Sequence, residues 1–249
     1  MINDLNKENS ILEGAISVKA ALEAESREIY EIFADPEKDD KNIKYILSLA
    51  KTKKIKITNA TKEILLTKTE GRTHGGIIAS VGQRKFVKPE ELLNVKNPFI
   101  ALLEGIEDPF NFGCAVRSLY AAGATGLIIP ARNWMSAAGT VARSSAGASE
   151  LIMTAATNDF DSLIKKAKEK NISLISAERK DAVSLYSTET NLNKPLILAI
   201  GGEKRGLSKI ITANADMRVF IPYGSDFRNS LSSSAACAVI AFEIFRQRK

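Results

Sequence analysis

PLILAIGGEKRGLSKIITANADMRVFIP, residues 195–222, decides the fold. It opens on an apolar run read as a strand (195–202) and turns through Gly201, Gly202 and Gly206. It then passes a short helical segment (207–213) and closes on a second apolar strand (217–222). Apolar strands with little alternation, separated by helices, are buried on both faces and belong to a mostly parallel sheet.

Working outward, the same alternation runs back to residue 99. Further strands are expected at 99–105, 126–130, 150–156 and 172–178. Helices are expected at 111–122, 136–145, 158–170 and 231–247. Residues 99–249 therefore read as one α/β domain. Segment 83–98 holds two prolines and reads as a linker. Residues 1–82 read as a smaller α/β domain, with helix-like 16–25 and 40–53 and strand-like 28–35, 54–60 and 75–82.

The chain has 249 residues, 45% apolar and 26% charged, ordinary for a globular protein. Two cysteines and one histidine argue against a Cys/His metal site. The polar start and the lack of a long apolar stretch predict a soluble cytoplasmic protein without a membrane span. Net charge is +6, unevenly spread: residues 1–40 carry 4 basic and 11 acidic side chains, residues 41–88 carry 12 and 2. The second stretch could attract RNA or be a solvated lysine-rich face.

Ligands in open parallel sheets bind beyond the carboxyl ends of the strands, and three such loops hold unusual residues. In EGIEDPFNFGCAVRSLYAAGATG (104–126), Asn111 can cap the next helix. Arg117 follows six residues later, about 1.7 turns along. Its apolar neighbours predict a guanidinium that needs an acidic partner or an anionic ligand. In AIGGEKRGLS (199–208), three glycines and Glu203 suit a ligand edge, but the spacing matches neither a dinucleotide fingerprint nor a P-loop. In GSDFRNSLSSSAACAV (224–239), small residues allow close passage and a helix is expected to begin near Ser230. Small-molecule enzyme and nucleic-acid binder both fit these residues.

The three loops in this order resemble the SpoU or TrmH family of RNA 2'-O-ribose methyltransferases, of the SPOUT class. The match rests on EDPFNFGCAVRSLYAAG, LAIGGEKRGLS and VFIPYGSDFRNSLSSSAACAVIAFEIFRQR. LEGAISVKAALE and THGGIIASVG (73–82) are similar, more loosely, to the substrate-binding domain akin to ribosomal protein L30e that many members carry. The resemblance implies a parallel sheet with a deep trefoil knot, a homodimer, no metal, and S-adenosylmethionine held by the second and third loops. The expected cofactor contacts are Leu198, Ala199, Ile200, Gly201, Gly202, Gly206, Ile221, Ser230 and Leu231. Arg117 would position or deprotonate the ribose hydroxyl, Asn111 would hold it or the RNA, and Glu203 would fix Arg117 or the loop. Ser230 and Ser232 complete the expected catalytic set. The family commonly reads Ser-Leu-Asn-Val-Ser where this chain has Ser230-Leu231-Ser232-Ser233-Ser234, so Ser232 replaces an asparagine. Ribosomal RNA is the expected substrate. A transfer RNA, a base in place of a ribose, and a non-catalytic ribosome-assembly role are the alternatives.

Overall fold

The computed structural model describes residues 9–69, 74–132 and 135–249. Thr73, in one of the quoted segments, and the first eight residues lie outside them. The elements are β1 Ser10–Glu13, α1 Ala15–Ala24, β2 Arg27–Ala34, α2 Lys41–Thr52, β3 Lys56–Asn59, α3 Lys62–Lys68 and β4 Ile77–Arg84. Next come α4 Pro89–Leu93, β5 Phe99–Glu104, α5 Pro109–Ala121, β6 Gly126–Ile129, α6 Ala138–Ser144, α7 Ala148–Leu151 and β7 Thr154–Ala156. The chain ends with α8 Phe160–Glu169, β8 Ser173–Ala177, β9 Val183–Ser184, β10 Leu196–Gly201, α9 Lys209–Asn214, β11 Met217–Phe220 and α10 Ser233–Arg248. They form two units, 1–85 with 133–151 and 86–132 with 152–249.

The first unit is built on a four-stranded sheet of order β1-β4-β2-β3, with β4 antiparallel to both neighbours and β2 parallel to β3. Strand β4 shows why the sheet is covered twice. Ile77, Ala79 and Val81 enter one apolar cluster with Leu22 of α1 and Ile46 of α2, while Ile78 enters another with Leu65 of α3. Helix α2 starts where Asp40 accepts from the amides of Asn42 and Ile43, and buries Ile43, Ile46 and Ala50 along one stripe.

Helices α6 and α7 belong to this unit, although the sequence reading grouped 136–145 with the C-terminal domain. Their small residues permit the packing. A Cβ on Gly139 would stand 2.6 Å from the Ile11 carbonyl oxygen, and Ala142 joins the core of α1 and α2. The strand expected at 150–156 is correspondingly short, Thr154–Ala156, because Glu150 lies within α7 with its carboxylate buried. Arg27 Nε donates to it at 2.9 Å, Ser26 Oγ at 2.6 Å and Arg84 Nη1 at 3.3 Å.

The second unit carries a seven-stranded, wholly parallel sheet of order β7-β6-β5-β10-β8-β11-β9. Its central strands β5 and β10 are buried almost end to end. Helices α4, α8 and α9 supply Leu92, Leu163 and Ile211 to one core cluster with Ile100, Leu102 and Ile197. Helices α5 and α10 pack against each other. The stretch read as a linker is partly built into this unit: Val87 bridges to Ala155, and Pro89 begins α4, which buries Leu92 and Leu93. Strand β9, two residues long, carries too little pattern to be read from sequence.

The C-terminus is tied down by Arg248, whose guanidinium donates to the carbonyls of Asn97 at 3.1 Å, Pro98 at 3.1 Å and Lys194 at 2.5 Å. These carbonyls precede β5 and β10, so Arg248 fixes the two central strands where they enter the sheet.

Candidate active site

Beyond the carboxyl ends of β8, β10 and β11 lies a cavity of about 540 Å³, within the range of small-molecule sites. Three of the segments that line it were expected from the sequence. The corner after β10 contributes Ile200, Gly201, Gly202, Glu203 and Gly206, the end of β11 contributes Ile221 and Tyr223, and Ser230 and Leu231 precede α10.

The glycines of the corner are required by backbone packed on backbone. A Cβ on Gly202 would lie 1.8 Å from the Gly105 carbonyl oxygen, and one on Gly201 would lie 2.3 Å from the Gly206 carbonyl carbon. Gly202 N–H donates to the Glu104 carbonyl at 2.7 Å, and Gly206 N–H to the Gly202 carbonyl at 2.9 Å. Gly206 itself takes φ +63°, a left-handed conformation that suits glycine. The three glycines thus leave bare main chain at this corner of the cavity, beside apolar Ile200, Ile221, Leu231 and Ile240 and charged Glu178, Arg179, Lys180 and Arg205.

Helix α10 begins at Ser233, later than expected, with Ser232 as its N-cap: the Ser232 hydroxyl accepts from Ala235 N–H at 3.2 Å. The carboxylate of Glu203 accepts from Ser233 N–H at 3.3 Å, adding negative charge at the helix N-terminus. Ser233 Oγ donates to the Gly201 carbonyl at 3.0 Å. Glu203 therefore joins the second loop to the third, and among the described residues no hydrogen bond or ion pair links it to Arg117.

Asn111 does not cap α5. Asp108 does, accepting from the Asn111 amide at 2.7 Å. The Asn111 side-chain oxygen faces Ser234 Oγ at 3.5 Å, and Ser234 Oγ lies 3.1 Å from Ser232 Oγ. These three residues form a polar chain where α5 meets α10, outside the cavity lining. Arg117 is exposed on α5 and has no hydrogen-bond or ion-pair partner among the described residues, which corrects the expectation of a guanidinium set in apolar surroundings. The helical turn carries it away from the buried stripe of Phe112, Ala115, Val116 and Leu119. Leu198 and Ala199 are sealed inside β10 with no exposed surface and do not line the cavity.

Several lining residues escaped the sequence reading. Glu178 and Arg179 follow β8, and Tyr223 follows β11. Glu178 accepts from Ser176 Oγ at 2.5 Å. Arg179 Nη1 and Nη2 donate to the carbonyls of Arg228 and Asn229 at 2.8 and 2.9 Å. The signal was present: charged residues directly after a strand of a parallel sheet stand at the ligand edge.

Among the described residues no helix is long and apolar enough to cross a membrane, and no group of three or more His, Cys, Asp or Glu could hold a metal ion.

Residues 98–242 match the SpoU rRNA Methylase family, and residues 11–87 match the family described as RNA 2'-O ribose methyltransferase substrate binding. The 23S rRNA (guanosine-2'-O-)-methyltransferase RlmB of Pectobacterium atrosepticum is 29% identical over 244 residues, covering 96% of this chain and 99% of that protein. RlmB of Escherichia coli is 26% identical over 244 residues, covering 96% of this chain and 99% of that protein. The AdoMet-bound rRNA methyltransferase from Sinorhizobium meliloti superposes with TM-score 0.79 at 19% identity, covering 96% of this chain and 87% of that one. The SpoU methyltransferase AviRb from Streptomyces viridochromogenes, in complex with AdoMet, gives TM-score 0.78 at 21% identity, covering 97% and 91%. The parallel sheet, the glycine corner at its carboxyl end and the match across more than half its length place the chain in one group: it belongs to the SpoU rRNA methylase family.

Proposed function

We propose that this chain transfers a methyl group from S-adenosylmethionine to a ribose 2'-hydroxyl of ribosomal RNA. The observation that carries the reading is the cavity beyond β8, β10 and β11, lined by the glycine corner and the segment before α10. Apolar Ile200, Ile221 and Leu231 suit a purine face, and the peptide edges around Gly201, Gly202 and Ser230 suit its polar rim. When bound, S-adenosylmethionine supplies the electrophilic methyl on a sulfonium.

The chain's own residues then divide the work. Glu203 and Ser233 hold the second and third loops in register. Arg117, exposed and unpartnered among the described residues, is available to orient the ribose hydroxyl or an adjacent phosphate. A guanidinium stays protonated under ordinary conditions, so its main role is orientation and charge. Asn111 and Ser234 would meet the RNA backbone beside it. Ser232 cannot replace the reach of an asparagine, since its hydroxyl is engaged as the helix cap.

We infer a homodimer and a knotted chain on the same footing. Phe110 of α5 and Phe242 of α10 are 59% and 48% exposed on helices that pack together, a face that a second copy would cover. The tight passage of Gly202 against Gly105 supports close crossing of two loops, as a knotted chain requires. The free thiols Cys114 and Cys237 fit the reducing cytoplasm, where ribosomal RNA is modified.

The test is transfer of labelled methyl from S-adenosylmethionine to ribosomal RNA, with nucleoside mass spectrometry and a map of ribose methylation with and without the gene. One missing 2'-O-methyl group in the gene-less cell is the expected result. A methylated base, a methylated transfer RNA, or binding without transfer would each overturn a named part of the proposal.

A further inference from the structure

We infer that Arg179 is a clamp that holds residues 223–231 in place as the outer wall of the cavity. The inference rests on the reading that this cavity takes S-adenosylmethionine, and it assigns a positioning residue to it.

Between β11 and α10 the chain runs without helix or strand. Such a segment keeps a shape only if something outside it holds its polar groups. Arg179 arrives from the loop after β8. Its two terminal nitrogens donate to consecutive carbonyls, Arg228 at 2.8 Å and Asn229 at 2.9 Å. Its guanidinium also lies 4.7 Å over the Tyr223 ring. Tyr223 in turn accepts at its hydroxyl from Leu231 N–H at 3.1 Å. One side chain thus grips both the start and the middle of the segment, and Tyr223 carries the grip on to Leu231.

Arg179, Tyr223 and Leu231 all line the cavity. Among the described residues no carboxylate pairs with Arg179, so its donors are spent on the loop. The planar fork matches two adjacent carbonyls, which a lysine ammonium could not engage with the same geometry. A wall ordered in advance spares the ligand the entropy of ordering it. The clamp stands at the surface, away from the apolar core, so its loss should loosen the wall and leave the fold intact.

The experiment compares the full-length chain with Arg179→Ala and Arg179→Lys. Amide hydrogen exchange across 224–232 is followed without ligand, and steady-state methyl transfer is measured against S-adenosylmethionine concentration. Both variants should exchange faster in this segment and nowhere else, with an unchanged melting temperature. The KM for the cofactor should rise about tenfold with kcat within about twofold, as expected when preorganisation alone is lost. Unchanged exchange in Arg179→Ala would overturn the clamp. Full recovery in Arg179→Lys would overturn the fork and leave only a charge. If the parent chain binds no S-adenosylmethionine, the proposed function fails, while the exchange comparison still decides whether Arg179 holds the wall.

Discussion

Gly202 and Gly105 pass so closely that a Cβ on Gly202 would stand 1.8 Å from the Gly105 carbonyl oxygen. No side-chain rotation relieves a contact with backbone. Gly202→Ala is expected to shift both strands' ends and lower the melting temperature by about 10 °C or more, the equivalent of about 3–4 kcal/mol in a chain of this size. Thermal unfolding followed by circular dichroism checks it, and a melting point within about 2 °C of the parent would contradict the geometry.

Arg117 lies outside the cavity lining while the proposed chemistry depends on it. Arg117→Ala should therefore separate two properties. Cofactor affinity measured by calorimetry should stay within about twofold, and methyl transfer should fall by about 100-fold or more. Equal loss of both would place Arg117 in cofactor binding instead.

Ser232 caps α10, and asparagine caps a helix about as well as serine. Ser232→Ala should cost about 1 kcal/mol, while Ser232→Asn should leave stability nearly unchanged. Chemical denaturation of the two variants distinguishes them. If Ser232→Ala is as stable as the parent, the cap has no energetic weight.

Glu150 is buried between Arg27 and Arg84. Burial by itself would raise its pKa, but the attraction of Arg27 and Arg84, with hydrogen bonds from Arg27 and Ser26, outweighs it and holds the carboxyl below its ordinary range. A carboxyl with a lowered folded pKa contributes stability above its unfolded value, about 4.3. That contribution disappears as pH falls through the folded pKa. Glu150→Gln should remove it at all pH values and cost about 3–5 kcal/mol at neutrality, because two arginines remain buried without their counter-charge. Denaturation midpoints from pH 3 to 7 should fall on the acid side for the parent and show less acid dependence in the variant.

The two thiols should behave differently. Cys237 is buried and its pKa is pushed up to about 12 by burial, whereas Cys114 is half-buried. A thiolate is the reactive form, so a thiol reagent should label Cys237 only after denaturation. Labelling of Cys237 in the native chain, read by peptide mass spectrometry, would show that α10 opens.

Much of this architecture was legible in the order of residues. The strands at 99–104, 126–129, 173–177, 196–201 and 217–220 lie inside their expected spans, because a strand buried on both faces must be apolar nearly throughout. Strand β1 and helix α3 were not anticipated. The first is four residues long, and the second buries only Leu65, so neither carries enough periodicity to stand out. Glycines 201, 202 and 206 lie at the cavity edge, and the structure supplies the reason for glycine there in contacts with residue 105 and with one another.

By itself, the sequence determined the α/β class, the parallel sheet and the three loops, since hydrophobic period and glycine spacing are local properties. Tertiary structure decided what local pattern cannot encode. It placed α6 and α7 in the first unit through Gly139 and Glu150, turned Arg117 to solvent, and spent the Ser232 hydroxyl on a cap. It also brought Arg179 to carbonyls about fifty residues away in the chain. Each of these depends on which distant groups arrive within hydrogen-bonding or van der Waals distance, and only the folded chain sets those distances.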